Sequence, residues 1–333
     1  MKATQIVLAS RPIGIPAFEN FRFEEFELPV LKDGQVLIQP LFISVDPYMR
    51  GRMNDAKSYT PPYEIGEPIK GGIVGRILES KSNNFGTEDI VLGNLPWVTK
   101  IVDDDKALQK IDPTSVPVSY YLGILGIPGL TAYFGLLEIG QPQAGETVVI
   151  SGAAGAVGSI VGQIAKIKGC RVVGLVGSDD KVKLLKEQFG FDLAINYKSS
   201  KNLRKDIKAA CPNDIDVYFD NVGGEISDAV FANLNFKSRV VVCGQIALYN
   251  ETRMQMGPRF LLLILTRSIL VKGFIANDYH EKFPEGVLQL ASWFAEGKLK
   301  YKETIIKGFD KLPEAFLGLF SGQNQGKMLV KVE

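Results

Sequence analysis

The turn Gly152-Ala153-Ala154-Gly155-Ala156-Val157-Gly158 limits this chain more than any other stretch, because it joins an apolar β-branched run, Thr147 to Ser151, to a helical pattern over 157–168. Glycines at such a strand-to-helix turn let backbone N–H groups approach a pyrophosphate, and the helix N-terminus adds partial positive charge. The spacing alone also suits a tight turn with close helix packing, so its surroundings decide. Counted from residue 147, further β-branched runs begin at 171, 193, 216, 239 and 270, at intervals of 24, 22, 23, 23 and 31. Each interval leaves room for one helix, the rhythm of βαβ units in a parallel sheet covered on both faces. The pattern predicts helices over 178–189, with Ser178 as N-cap and Gly190 as stop, and over 284–298, with Val287, Leu290, Ala291 and Phe294 on one side. The expected fold class is α/β, with a doubly wound parallel sheet that binds a dinucleotide.

The first 125 or so residues read differently. Strand-like pieces such as Gln35 to Leu41 and Ile73 to Ile77 sit between Pro- and Gly-rich turns without helical periodicity, which predicts an irregular β domain. Two late strand-like stretches, 304–308 and 327–332, are expected to return to it. The expected domains are therefore 1–128, completed by 302–333, and 129–301. Lys and Arg total 38 against 37 Asp and Glu, so no broad basic field exists for nucleic acid or anionic lipid, and any anion must be gripped locally. Three cysteines and one histidine are too few and too scattered for a zinc site, and the odd cysteine count argues against a disulfide framework. A reducing, cytoplasmic setting is expected. The longest apolar run, Phe260 to Leu265, falls far short of the ~18 residues of a membrane span.

An NAD site places a carboxylate at the end of the second strand, where it accepts from the ribose 2′-hydroxyl. Here that strand ends Val176-Gly177-Ser178 without an acid, and Lys181 in the next helix is in reach of a 2′-phosphate. Ser178, Asp179 and Asp180 also form an N-cap, which is compatible with that role. NADP(H) is the expected cofactor. Ligands of open α/β sheets bind outside the carboxyl ends of the strands, which here read Asp220-Asn221-Val222-Gly223-Gly224 and Cys243-Gly244-Gln245. Gly223 and Gly224 are expected to let the cofactor pass close to the backbone, and Asn221 to donate to ribose or carboxamide oxygens. Cys243 has no histidine nearby in sequence, so a packed, neutral thiol is expected there.

With these motifs, the stretches Ser44-Val45-Asp46-Pro47-Tyr48-Met49-Arg50, Asn196-Tyr197-Lys198 and Tyr249-Asn250 complete a set, in order, that resembles the zinc-independent medium-chain dehydrogenase/reductase superfamily. Within it the chain is most similar to the leukotriene B4 dehydrogenase, prostaglandin reductase and alkenal double-bond reductase branch. The resemblance implies a Rossmann-type domain beside a GroES-like irregular β domain, and a homodimer. It implies that Lys181 and Tyr197 hold the adenosine 2′-phosphate, and that Ala153, Ala154, Gly155 and Ala156, continuing into Val157 and Gly158, line the pyrophosphate turn. It further implies that Asn221, Cys243, Gly244, Gln245, the backbone of Phe274, Ile275 and Ala276, and Asn324 position the ribose and nicotinamide. Tyr249 would present its hydroxyl to the substrate carbonyl and Tyr48 would line the substrate pocket. For Arg50 and Arg52, surface or domain-interface ion pairs are the default.

No cysteine or histidine occurs before Cys170, so the expected chemistry is metal-independent. Hydride addition to the β-carbon of a conjugated C=C–C=O leaves negative charge on the carbonyl oxygen, which a hydroxyl donor such as Tyr249 can meet together with the ribose 2′-hydroxyl. The expected activity is NADPH-dependent reduction of the C=C bond of α,β-unsaturated aldehydes or ketones. A quinone reductase of the same superfamily, or a catalytically silent NADPH-binding protein, would carry the same motifs.

Overall fold

The computed structural model describes residues 1–332, which fall into two units: 1–122 with 303–324 and 328 onward, and 123–302 with 325–327. In the first unit β1 (Lys2–Leu8) and β2 (Phe21–Glu27) pair antiparallel. After them come β3 (Gln35–Ser44), the short helix α1 (Tyr48–Arg52), β4 (Lys70–Ser80), β5 (Ile90–Pro96), β6 (Ile101–Asp104) and β7 (Leu108–Lys110). Antiparallel pairs link β3 to β4, β4 to β5 and β5 to β7, and β6 also pairs with β3. Val36 and Ile38, Ile73 and Ile77, and Val91 and Leu95 are buried at even spacing, so the period-2 alternation of each strand turns one apolar face into a shared core.

The second unit runs α2 (Ile127–Phe134), β8 (Thr147–Ser151), α3 (Gly158–Ile167), β9 (Arg171–Val176), α4 (Asp179–Lys183), β10 (Leu193–Asn196), α5 (Leu203–Ala210), β11 (Ile215–Asp220), α6 (Gly224–Phe231), β12 (Leu234–Val242), α7 (Leu261–Arg267), β13 (Leu270–Gly273) and α8 (Phe283–Ala295). Its six strands are all parallel, in the order β10-β9-β8-β11-β12-β13. The order reverses between β8 and β11, which is where doubly wound sheets open a ligand crevice. Every residue of β8 is buried, as a central strand covered on both faces requires. Helical backbone continues past α4 to Gln188 and is stopped by Gly190 at φ +70°.

The chain closes with β14 (Glu303–Lys307), α9 (Leu312–Ser321) and β15 (Lys327–Lys331). β15 lies antiparallel to β3, with Leu329 opposite Ser44, and β14 follows it at the sheet's end. The boundary between units falls at 122/123 rather than 128/129. The Gly123 carbonyl accepts from the amides of Gly126 and Gly129, each at 3.0 Å, so the turn that starts α2 already belongs to the second unit. Residues 325–327 join it because the Gly326 amide donates to the Ala154 carbonyl at 2.8 Å. The run Phe260 to Leu265 is the surface helix α7, where Leu261, Leu262 and Leu265 are 70 to 80% exposed. Among the described residues no helix is long and apolar enough to cross a membrane.

Candidate active site

The glycine turn between β8 and α3 owes its shape to two close approaches. A Cβ at Gly158 would lie 2.5 Å from the Gly152 carbonyl oxygen and 2.8 Å from Ala153 Cα, so no side chain fits there. Gly152 itself takes φ +60°, which favours glycine. Ala153 and Ala154 are buried and serve the scaffold: the Ala153 amide donates to the Leu175 carbonyl at 3.2 Å, and the Ala154 carbonyl takes Gly326. Of the residues expected to line the pyrophosphate turn, these two therefore have their Ala153 amide and Ala154 carbonyl engaged within the protein. Gly155, Ala156 and Val157 stay half-exposed at the N-terminus of α3, a ten-residue helix with no acid in its first turn. Small residues and a helix N-terminus whose first turn holds no acid suit a pyrophosphate.

At the tips of β11 and β12 one carboxylate organises the backbone. Asp220 is only 3% exposed. Its Oδ1 accepts from Ser151 Oγ at 2.9 Å, Tyr218 Oη at 2.8 Å and the amides of Val222 and Gly223 at 3.0 and 2.9 Å. Its Oδ2 accepts from Ser227 Oγ at 2.7 Å and Gln245 Nε2 at 2.8 Å. Six neutral donors share the charge, the condition under which a carboxylate tolerates burial. The turn 221–224 and the turn 243–245 are thereby tied to one point.

Three residues with expected cofactor roles make contacts within the protein. The Asn221 carboxamide donates to the Ser151 carbonyl at 2.8 Å, tying the β11 tip to β8 instead of offering that N–H to a ligand. Gln245 folds over Gly223: a Cβ there would sit 2.1 Å from Gln245 Oε1, so the space beside Gly223 belongs to a side chain rather than to a passing cofactor. At the β13 tip the Ile275 amide donates to Asp278 Oδ2 at 3.1 Å and its carbonyl accepts from the Asp278 amide at 2.9 Å, so local capping occupies its backbone. The Phe274 ring stands edge-on to Phe219 at 6.4 Å, and Ala276 is buried.

Tyr249 follows a single 3-10 turn, Ile246 to Leu248, that bends the chain back onto the β12 tip. Its hydroxyl oxygen accepts from the Gln245 amide at 3.3 Å and lies 3.4 Å from where a Gly244 Cβ would stand. Burial holds the phenol above its ordinary pKa. Beside it, burial and then Asp220 push the Cys243 thiol up to about 12, a packed neutral thiol.

The tips of β9 and β10 carry the other expected contacts. Ser178 Oγ accepts from the Lys181 amide at 3.4 Å, capping α4. The Tyr197 amide donates to the Val176 carbonyl at 2.9 Å, and its hydroxyl would stand 2.9 Å from a Cβ at Gly177. Burial lowers the Lys181 pKa and Lys198 lowers it further.

In the first unit Tyr48 opens α1 half-buried against the core, and burial, with Asp46 adding to it, holds its phenol far above the ordinary range. Arg50 is buried, not at the surface: it donates to Asn54 Oδ1 at 2.6 Å and to the Gly14 carbonyl at 2.9 Å. Arg52 lies 4.0 Å over the Tyr63 ring and donates to the Pro61 carbonyl at 2.9 Å. Both arginines therefore fasten loops. Asn324 belongs to this unit, just after α9.

A family model described as "N-terminal domain of oxidoreductase" matches residues 4–111, and one described as "Zinc-binding dehydrogenase" matches 156–293. "Putative NADP-dependent oxidoreductase YfmJ" of Bacillus subtilis is 54% identical over 98% of this chain and 97% of its own. "Prostaglandin reductase 1" of Sus scrofa is 42% identical over 99% of each chain. The chain belongs to the zinc-independent branch of the medium-chain dehydrogenase/reductase superfamily. The crystal structure of CurA in complex with NADPH from Vibrio vulnificus superposes with a TM-score of 0.94 at 40% identity, covering 99% of each chain. Among the described residues no three His, Cys, Asp or Glu side chains gather as a metal site.

The motifs contain Asp220 without a role for it, and no spacing marks Ser151, Tyr218 or Ser227 as its partners. The one available signal was an acid ending an otherwise apolar strand, since an aspartate at a buried strand end needs donors.

Proposed function

We propose that this protein reduces the C=C bond of α,β-unsaturated aldehydes or ketones with NADPH. The observation that carries the reading is the Tyr249 hydroxyl: its oxygen already accepts from the Gln245 amide at 3.3 Å, so its O–H is left to donate to an outside oxygen. Bound NADPH supplies a hydride from its nicotinamide ring. Gly155, Ala156, Val157 and the α3 N-terminus hold the pyrophosphate, and Lys181 and Tyr197 hold the 2′-phosphate. Tyr249 stays protonated at neutral pH, because its pKa is raised, and donates to the substrate oxygen that gains negative charge. The α-carbon takes its proton from Tyr249 or from water through it. Tyr48 lines the substrate pocket.

Two further readings belong with this one. The free thiols of Cys170, Cys211 and Cys243 favour a reducing, cytoplasmic setting. The exposed leucines of α7 and the exposed apolar residues Leu270 and Val271 on edge strand β13 favour a homodimer that covers them. NADPH oxidation measured with trans-2-alkenals and with simple quinones tests the activity. Faster turnover of the alkenals is expected. Equal or faster turnover of the quinones would make the protein a quinone reductase, and NADPH binding without any enone turnover would leave only a binding protein.

A further inference from the structure

We propose that Lys198 is a second cation of the adenosine 2′-phosphate site and helps set the preference for NADPH over NADH; this rests on the reading that Lys181 and Tyr197 hold that phosphate. β9 and β10 run side by side to their ends, with Asn196 opposite Val176. Just beyond, Tyr197 and Lys198 converge on Gly177: a Cβ there would meet Tyr197 Oη at 2.9 Å and Lys198 Cε at 3.3 Å. The lysine stem and the phenol therefore share the space over the glycine that ends the second strand, where an NAD site would carry its acid. Asn196 fixes this arrangement with both ends of its carboxamide. Its Oδ1 accepts from the Lys198 amide at 3.1 Å, and its Nδ2 donates to Asp179 Oδ1 at 2.8 Å.

Charge points the same way. Lys166 and Lys208 of the same unit are paired with Asp192 and Asp214, whereas Lys198 pairs with no carboxylate among the described residues. Lys181 feels Lys198 strongly enough for its pKa to fall, after the larger effect of burial. Two ammonium groups held near one another repel, and a dianion between them relieves that repulsion. A 2′-hydroxyl offers no such relief, so the gain is specific to the phosphorylated dinucleotide.

Calorimetric titration of the whole protein with NADP+ and with NAD+ tests this in the parent, K198M, K181M and, as a control for the general field, K201M, which removes an exposed lysine three residues on. K198M is expected to weaken NADP+ binding about five- to tenfold and to leave NAD+ within about twofold, with K201M changing neither by more than about twofold. An unchanged NADP+ affinity in K198M, with a loss in K181M, would overturn the role of Lys198 and leave the Lys181–Tyr197 site standing. Loss of NADP+ and NAD+ alike in K198M, or an equal loss in K201M, would also overturn it. No loss in either K181M or K198M would remove the 2′-phosphate reading itself.

Discussion

Replacing Asp220 isolates the clamp beneath the strand tips. In Asp220→Ala the amides of Val222 and Gly223 lose their acceptor and cannot turn to another, since the turn fixes them. The hydroxyls can re-pair, because Tyr218 Oη and Ser227 Oγ already lie 2.9 Å apart. Two stranded backbone donors at about 1–3 kcal/mol each give a loss of about 2–6 kcal/mol. At about 2–4 °C per kcal/mol for a unit of this size, the thermal midpoint should fall by roughly 4–24 °C. Asp220→Asn keeps one oxygen for the amides and turns a nitrogen toward Ser227 and Gln245. Ser227 can accept from it, and Gln245 must rotate its carboxamide and release the Gly244 carbonyl, now 3.0 Å away. Its cost should be only about 1–2 kcal/mol. Thermal unfolding followed by circular dichroism measures both. A midpoint in Asp220→Ala within about 1 °C of the parent, or equal damage from Asn and Ala, would refute the clamp.

Gly223→Ala puts a Cβ 2.1 Å from Gln245 Oε1 at φ +76°, so it should lower stability by about 1–3 kcal/mol and raise the KM for NADPH, read by thermal shift and initial rates. With its thiol pushed up to about 12, Cys243 should resist a thiol-specific chromogenic reagent at pH 8 in the folded protein, and fast labelling there would contradict the packing. The proton on Tyr249 is the active form and its pKa is raised, chiefly by burial, so turnover limited by it should stay flat from neutral to about pH 9 and fall only as pH rises past the ordinary phenol value of ~10. A pH–rate profile with an alkaline limb centred below about pH 9 would contradict this.

The central strands of the second unit are legible in the sequence because they are buried, as β8 and β9 show. Thr147–Ser151, Arg171–Val176 and Leu193–Asn196 appear as apolar runs with the bounds the structure gives them. β12 was cut short, since its first half, Leu234 to Ser238, includes the exposed Phe236 and Lys237 and breaks the apolar pattern. The pair β1 and β2 is not legible in the sequence because β2, Phe-Arg-Phe-Glu-Glu-Phe-Glu, is largely exposed and breaks strict alternation at Glu24-Glu25. Within the site, motif order named Tyr249, Lys181 and Tyr197, but it could not tell which polar groups face a ligand and which face each other. Asn221, Gln245 and Ile275 all face inward contacts set by partners distant in sequence or by a local cap, and no spacing announces those.

The central claim is that the Tyr249 hydroxyl meets the charge that develops on the substrate oxygen. Tyr249→Phe keeps the ring and removes only that donor, so kcat for a trans-2-alkenal at saturating NADPH should drop by about 10²–10³, with the dissociation constant for NADP+ within about twofold of the parent. A kcat within about threefold of the parent, at equal cofactor affinity, would contradict the account.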